Sequence, residues 1–185
     1  MLGQKEYSYD VRQYGGLEEL SEKVAYFFHS ALQGHEAAPE AALALSALAQ
    51  SGIPQGLLAD AQCFSVVQLT RDLRDQEPGA SVANLLHPEL LALSYRERVR
   101  KPSMTLFAAA YRRLKALNLE PPQVLYVSSR VQDDLAVAKS IGFRTAIYAG
   151  EKLGLAVTLE ELQNPDVCPD RMLTRLSQIR DVLRL

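Results

Sequence analysis

The chain has 185 residues, a formal net charge of −2, 48% hydrophobic residues and no tryptophan. This length suits one domain, or a core with a small appendage. The small net charge excludes a general attraction to nucleic acid or to anionic membranes, and no apolar run approaches the roughly 20 residues that span a bilayer. The first ten residues lack the apolar stretch of a signal peptide, so we expect a cytoplasmic location. Cys63 and Cys168 lie far apart in the sequence, and we expect both to be free thiols.

Apolar residues alternate along the chain between helical spacing and short continuous runs, which predict helices and buried strands respectively. In chain order, the predicted elements are a helix over residues 17–33, a helix over 40–51, a strand over 56–59, a helix over 65–73, a strand over 90–94, a helix over 104–117, a strand over 124–127, a helix over 131–141, a strand over 145–148 and an amphipathic tail over 169–185.

Strands that alternate with helices predict an α/β fold, in which a parallel sheet is covered by helices on both faces. The strands are near-continuous apolar runs, as is typical when both faces are covered. In such sheets, ligands bind at the carboxyl ends of the strands. The polar residues predicted at this edge, or close to it, are Asp60, Ser94, Ser128, Ser129, Arg130 and Lys101.

The chain from Ala92 to Tyr148 resembles the second half of a haloacid dehalogenase-like (HAD) hydrolase. Such enzymes typically read S-x-x-x-G-x-x-K-P-x-x-x-x-F, then a helix, then P-x-x-x-L-x-V-G-D-S-x-x-x-D-x-x-G-A-x-x-A-G-M-x-T. Upstream, residues 39–62 resemble the stretch that leads to the family's second motif, and residues 16–35 resemble part of its helical cap. The residues that match the pattern in register are Ser94, Lys101, Pro102, Phe107, Pro122, Val127, Asp134, Ala138, Gly142 and Thr145.

The resemblance implies a Rossmann-like three-layer α/β/α core with a parallel sheet and a reduced N-terminal helical cap. Residues 1–38 would form the partial cap and N-terminal segment, and residues 39–185 the core. It also implies a reaction in which an aspartate attacks phosphorus or carbon, a serine or threonine and a lysine hold the transferring group, and acids bind Mg²⁺. A carboxylate that attacks an anionic phosphate needs a cation to suppress the repulsion.

The sequence departs from this pattern at three of the four motifs. The first motif, D-x-D-G-T, is absent. Its nearest candidate is Asp10 in YSYDVRQYG, and the other interpretation is that the chain begins inside the cap. At the second motif, Ala59 stands where the family has serine or threonine. At the fourth, Ser129 replaces the principal Mg²⁺-binding carboxylate, while Asp134 keeps the second acidic position.

Candidate site residues therefore fall into two sets. Lys101, Asp134 and Asp10 are the catalytic candidates that the resemblance implies, and Ser128, Ser129, Arg130 and Asp60 are the candidates for binding an anion. Structural alternatives stay open for most of them: Lys101 could pair with Asp134 or Asp133, Asp134 could cap the helix that follows, the serines could satisfy the turn, and Asp60 could be a helix N-cap. The spacing of His29, His35 and His87 predicts no metal site.

The sequence leaves three functions open. The first is a catalytically impaired pseudoenzyme that binds a small phosphorylated or carboxylated ligand, or a partner protein. The second is an active Mg²⁺-dependent phosphatase or hydrolase, which would use Asp10 or a nucleophile from an upstream segment. The third is a structural subunit-type domain. Separately, the apolar stripe from Met172 to Leu183 predicts packing in the core, with contact between two copies in a homodimer as the alternative.

The position of the family's first strand produces a further prediction. That strand is central in the family's sheet, so its loss would leave a gap whose edges expose unpaired backbone groups. Tyr7, Tyr9 and Val11 alternate as in a strand. We therefore predict that residues 5–12 form this strand, with Asp10 near the carboxyl edge of the sheet.

Overall fold

The computed structural model describes residues 10–32, 36–152 and 154–185, and the chain divides into two compact units, Met1–Glu36 and Ala37–Leu185. Cys63 and Cys168 are free thiols. Within the described ranges, no helix is both long and apolar enough to cross a membrane.

The described part of the first unit consists of two helices and the few residues that flank them. It contains the single-turn helix α1 (Val11–Tyr14) and the longer helix α2 (Leu17–Leu32). The Oδ1 atom of Asp10 accepts a hydrogen bond from the Arg12 N–H at 2.9 Å, so this carboxylate caps a helix. The prediction of a strand over residues 5–12 is therefore wrong from Asp10 onward, and residues 5–9 lie outside the described part.

The second unit begins with two strands and the helices around them. These elements are α3 (Ala41–Gln50), β1 (Leu57–Ala59), α4 (Ser65–Gln76), α5 (Val82–Leu85), a 3-10 turn (Pro88–Leu90) and β2 (Leu91–Leu93). Helix α3 ends close to Gly52, whose φ of 73° lies in the left-handed region that glycine adopts without strain. The Ser81 hydroxyl begins α5 by accepting a hydrogen bond from the Asn84 N–H.

The rest of the second unit supplies three more strands. Its elements are α6 (Ser94–Glu97), α7 (Met104–Ala116), a 3-10 turn (Pro121–Gln123), β3 (Leu125–Ser128), a π turn (Val131–Leu135), α8 (Ala136–Ser140), β4 (Arg144–Tyr148), α9 (Leu159–Gln163), β5 (Arg171–Leu173), a 3-10 turn (Leu176–Gln178) and α10 (Ile179–Leu183). Ser103 caps α7, and Gly142, at a φ of 90°, follows α8.

The amphipathic tail differs from its prediction. Met172 lies in β5 and not on a helical face shared with Ile179 and Leu183. The strand forms because Leu173 is buried against the rest of the unit, while Met172, its neighbour in the strand, points to the exposed side. Pairing with β4 thus overrides the helical spacing of the tail.

All strand pairs are parallel, and they form two sheets. β1 pairs with β2, with Leu57 opposite Leu91, while β3, β4 and β5 form the second sheet in that order. Leu57 packs in a cluster with residues of α3, α4 and α5, whereas Leu58 packs with Phe107 of α7. Successive residues of a strand face opposite sides, so helices cover both faces of β1. The prediction of an α/β fold with parallel strands between helical layers is confirmed.

Candidate functional site

The carboxyl ends of β1 and β3 lie beside the loop that joins α6 to α7. Asp60 follows β1, and its Oδ1 accepts a hydrogen bond from the Lys101 N–H at 2.9 Å. The Lys101 side chain then reaches Asp134 in the π turn that follows β3. One lysine therefore links the ends of both sheets, through its backbone on one side and its ammonium group on the other.

The Asp134 carboxylate is the centre of this cluster and is 1% exposed. Its Oδ1 lies 2.8 Å from the Lys101 Nζ and accepts a hydrogen bond from the Tyr126 hydroxyl at 3.0 Å. Its Oδ2 accepts from the same Nζ at 3.0 Å and from the Ser128 hydroxyl at 2.7 Å. A carboxylate offers about four lone-pair sites, so the four contacts use them all.

The interpretation of Lys101 as a salt-bridge partner is confirmed. Its side chain is 16% exposed, and its ammonium group contacts both oxygens of Asp134. The alternative role of Asp134 at the helix N-terminus takes a different form: Asp134 lies in the first turn of the π turn, whose N-cap is Arg130, and its oxygens accept hydrogen bonds from side-chain donors. A buried charge needs such partners because desolvation alone would be costly.

Tyr126 is the member of the cluster that sequence reasoning missed. Its ring meets Phe107 edge-on, with 5.7 Å between centroids, while its hydroxyl reaches Asp134. Burial, followed by the nearby Asp134 carboxylate, raises the pKa of Tyr126 well above its ordinary value, so it remains a neutral donor. A signal was available: Tyr126 and Ser128 are two residues apart on a strand and therefore share a face.

The residues predicted to bind an anion are only partly free to do so. The Ser128 hydroxyl donates to Asp134 and accepts from the Arg130 N–H at 3.3 Å. The Arg130 Nη1 lies 3.0 Å from Asp133 Oδ2, in an ion pair whose side chains are 56% and 44% exposed. The Ser129 hydroxyl has no hydrogen-bond partner among the described residues, although its carbonyl accepts from the Ala156 N–H at 2.8 Å.

Three other polar residues that the sequence singles out, Asp10, Asp60 and Ser94, make contacts away from the Asp134 carboxylate. Asp10 belongs to the first unit, where its carboxylate caps α1. Asp60 is not the cap of a helix, because it holds the Lys101 backbone and its Oδ2 lies 4.0 Å from the Arg100 Nε. Ser94, which follows β2, is buried and structural: its hydroxyl accepts from the Ala61 N–H at 2.9 Å and donates to the Ala61 carbonyl at 3.1 Å.

The donor set does not fit Mg²⁺, the cation that the resemblance implies. Hard Mg²⁺ ions take six oxygen ligands in an octahedral shell, usually with one or two carboxylates. The lone pairs of Asp134 are already occupied, and the Lys101 ammonium group already supplies a positive charge to both of its oxygens. In the part of the chain that the structure describes, no group of three or more His, Cys, Asp or Glu side chains could hold a metal ion.

Comparison with known proteins identifies the fold. No protein-family model matches the sequence, and no curated protein matches it. Among solved structures, a HAD phosphatase from Thermococcus onnurineus aligns with 88% of this chain and 64% of its own, at 17% identity and a TM-score of 0.62. The putative HAD-hydrolase YfnB from Bacillus subtilis, solved with magnesium bound, aligns with 95% of this chain and 68% of its own, at 13% identity and a TM-score of 0.63.

A 2-haloacid dehalogenase from Pseudomonas syringae pv. Tomato DC3000 gives 21% identity and a TM-score of 0.58, over 96% of this chain and 64% of the dehalogenase. The chain therefore has the HAD-like fold. It spans a little under two thirds of the length of the phosphatase and of the dehalogenase. Structural similarity at such low sequence identity establishes the fold only, and the activity must be argued from the residues of the site.

Proposed function

We propose that this chain is a non-catalytic HAD-fold protein that acts by binding a partner protein. The observation that carries the proposal is the Asp134 carboxylate, whose four contacts with Lys101, Tyr126 and Ser128 leave it no lone pair for a metal ion. A HAD-type hydrolase needs a carboxylate nucleophile and a cation that neutralises the substrate. At this cluster, the charged side chains of Lys101 and Asp134 instead form a charge-neutral pair that joins the ends of two sheets.

The charges at the edge favour a partner protein over a small anion. Binding a phosphate or carboxylate group calls for unpaired donors, most often a free arginine or lysine. Lys101 is paired with Asp134, and Arg130 is paired with Asp133. An anion would have to displace an acid from one of these cations, and at Lys101 it would leave the buried Asp134 without its counter-charge.

A hydrolysis assay on the full chain tests the absence of catalysis. p-Nitrophenyl phosphate is incubated with the protein and millimolar Mg²⁺, and the Asp10→Asn and Lys101→Met variants serve as matched controls. We expect turnover at the level of buffer for all three proteins. Mg²⁺-dependent turnover that is lost in the Asp10→Asn variant would contradict the proposal and support the active phosphatase.

Thermal unfolding in the presence of Mg²⁺ or inorganic phosphate tests the two small ligands separately. A ligand that binds only the folded state stabilises it by RT ln(1 + [L]/Kd), so the midpoint temperature rises with ligand concentration. We expect no shift with either ion at millimolar concentration. A concentration-dependent shift with phosphate that disappears in Arg130→Met, and not in Arg112→Met on α7, would replace the partner protein with a small anion as the ligand.

A further inference from the structure

A short basic segment follows β2 at the carboxyl end of the first sheet. It contains α6 and the residues that lead from it to α7, and three of its exposed side chains are arginines: Arg96, Arg98 and Arg100. These arginines occupy alternate positions over five residues, so their Cα atoms lie within about 14 Å of one another. We call residues 95–104 the arginine loop.

The acids of the arginine loop and its surroundings are already engaged. Glu97, the acid within the loop, pairs with Arg113 of α7 at 2.7 Å. Asp60 accepts a hydrogen bond from the Lys101 N–H, and its Oδ2 lies 4.0 Å from the Nε of Arg100, whose side chain is 83% exposed. The loop therefore keeps an excess of positive charge on a chain whose net charge is −2.

Two of the three arginines have no acidic partner. Among the described residues, neither Arg96 nor Arg98 forms an ion pair. The Nε of Arg96 donates to the Tyr95 hydroxyl at 2.9 Å, and its guanidinium carbon lies 5.5 Å from the centre of the Tyr95 ring. Contact with an aromatic ring holds a guanidinium group without using its terminal N–H groups. The Nη1 and Nη2 atoms of Arg96 are therefore available to an acceptor.

An exposed apolar residue ends the arginine loop. Met104 begins α7 and is 52% exposed. The Ser103 N–H donates to the Arg100 carbonyl at 2.9 Å, which holds this end of the loop in a turn. Arginine, methionine and aromatic residues are enriched in protein–protein interfaces relative to the rest of a protein surface. With Tyr95, three arginines and Met104, the loop has the composition of such an interface.

We propose that the arginine loop binds an acidic segment of a partner protein. Carboxylates of that segment would face Arg96, Arg98 and Arg100, and an apolar side chain would cover Met104. A guanidinium group binds a carboxylate through two parallel N–H···O bonds, and complementary charges steer association and suppress wrong partners. This inference rests on the proposed function and adds the chemistry of the partner to it.

Two other anionic ligands fit the arginine loop less well. A protein that makes about 6–10 phosphate contacts with a nucleic acid supplies a matching number of cations, whereas this loop presents three exposed arginines on an acidic chain. A single small anion would contact one or two exposed guanidinium groups, and exposed ion pairs contribute little in water. A segment with several carboxylates engages all three arginines at once, and linked contacts reinforce one another.

Fluorescence anisotropy on the full chain tests the arginine loop. The probe is a fluorescein-labelled synthetic peptide with three glutamates on each side of a leucine, and the control peptide has glutamine in place of every glutamate. At low salt we expect saturable binding of the glutamate peptide and no signal from the glutamine peptide. A tenfold increase in salt should weaken binding by about threefold or more, because salt screens exposed charges. Serine in place of the leucine should weaken it by about threefold, because the contact with Met104 is lost.

Two triple variants with the same change in net charge separate the arginine loop from the charge of the whole chain. The loop variant combines Arg96→Gln, Arg98→Gln and Arg100→Gln. The control variant makes the same substitution at three exposed arginines in β5 and in or after α10: Arg171, Arg180 and Arg184. We expect the loop variant to bind the glutamate peptide at least about tenfold more weakly, and the control variant to bind it within about twofold of wild type.

The fold of each variant is checked by far-UV circular dichroism. Should the loop variant unfold, Arg98→Gln alone keeps the comparison, because Arg98 has no ion-pair partner among the described residues. This single variant should still weaken binding of the glutamate peptide by about twofold or more.

Several results would overturn the proposal. Failure of the glutamate peptide to bind, or an equal loss of binding in the loop and control variants, would each do so. Displacement of the peptide by inorganic phosphate, beyond that by sodium chloride of the same ionic strength, would make the loop a small-anion site. Tighter binding of a single-stranded oligonucleotide of equal charge would make the ligand a nucleic acid. Unchanged binding of the serine peptide would remove Met104 from the interface. Phosphate-ester turnover bears on the non-catalytic function alone, so the two failures are distinguishable.

Discussion

The pair formed by Lys101 and Asp134 offers the sharpest test of the site's chemistry. We consider Lys101→Met and Asp134→Asn, which keep the approximate size of each side chain and remove its charge. Lys101→Met leaves a carboxylate that is 1% exposed with only its neutral donors, Tyr126 and Ser128. Asp134→Asn leaves an ammonium group that is 16% exposed facing a neutral amide.

Breaking a buried ion pair costs about 3–5 kcal/mol, and a single hydrogen bond to a charged group contributes about 1.5–3 kcal/mol. In Lys101→Met, Tyr126 and Ser128 still donate to the carboxylate, and in Asp134→Asn the ammonium group keeps some contact with water. We therefore expect each single variant to lose about 3 kcal/mol of unfolding free energy. In the double variant neither charge is left alone. We therefore expect it to lose about 2 kcal/mol less than the sum of the singles, which is the coupling energy of the pair.

Urea denaturation followed by far-UV circular dichroism measures these free energies, since the chain has no tryptophan. The matched control is the exposed pair of Arg130 and Asp133, for which the same substitutions should give a coupling energy below about 0.5 kcal/mol. Additive effects at Lys101 and Asp134, within about 0.5 kcal/mol, would refute the argument that a closed charge network occupies the edge. A slope in urea that changes between variants would mean that the folded or unfolded state itself had changed.

Three further outcomes follow from single contacts. Burial would raise the pKa of Asp170, but hydrogen bonds from the N–H and hydroxyl of Thr145 outweigh it and hold that pKa below its ordinary value of 3.8. The ionised carboxylate therefore stabilises the folded state at neutral pH, and Asp170→Asn should lose about 1–2 kcal/mol of unfolding free energy there. In urea melts, the difference from wild type should shrink as the pH falls below 3.8, because Asp170 then becomes protonated in both states. Phe107→Ala, at a fully buried position, should cost about 3–5 kcal/mol, and Phe107→Leu clearly less; equal losses would mean that the cavity is not the cause. Ser94→Ala should cost about 1–3 kcal/mol, because the Ala61 N–H and carbonyl both lose their partner, and an unchanged midpoint in thermal unfolding would show that they find another.

The elements that the sequence predicted well are those whose boundaries depend on neighbouring residues. Ser103 begins α7 because its hydroxyl accepts from the Thr105 N–H, and Gly142 follows α8 because a left-handed φ costs glycine little. Both reasons act over two or three residues and are readable from the chain. The tail failed for the opposite reason: whether Met172 lies in a helix or a strand depends on β4, which is distant in sequence.

The candidate site also contains some features that the sequence predicted and others that depend on residues distant in the chain. Lys101 and Asp134 were predicted as site residues, and pairing between them was one of the stated alternatives. The roles of Tyr126 and Asp60 were not predicted, because each depends on a partner in another element: the Tyr126 hydroxyl on the π turn, and the Asp60 carboxylate on the Lys101 backbone. The roles of Ser129 and Arg130 in binding an anion remain predictions.

The sequence alone determined the fold class of this protein, because apolar runs that alternate with helical stripes predict a parallel α/β fold. It also carried the resemblance that implies a carboxylate where Ser129 stands. Only the tertiary structure decided what the charges of Lys101 and Asp134 contact and which strands pair in each sheet. Whether Asp134 is free or bonded depends on four contacts from two other segments, β3 and the loop before α7, and the neighbours of each strand depend on pairing across the unit. Hydrogen bonds and ion pairs act over a few ångströms, so they are set by distances in space that sequence separation does not record.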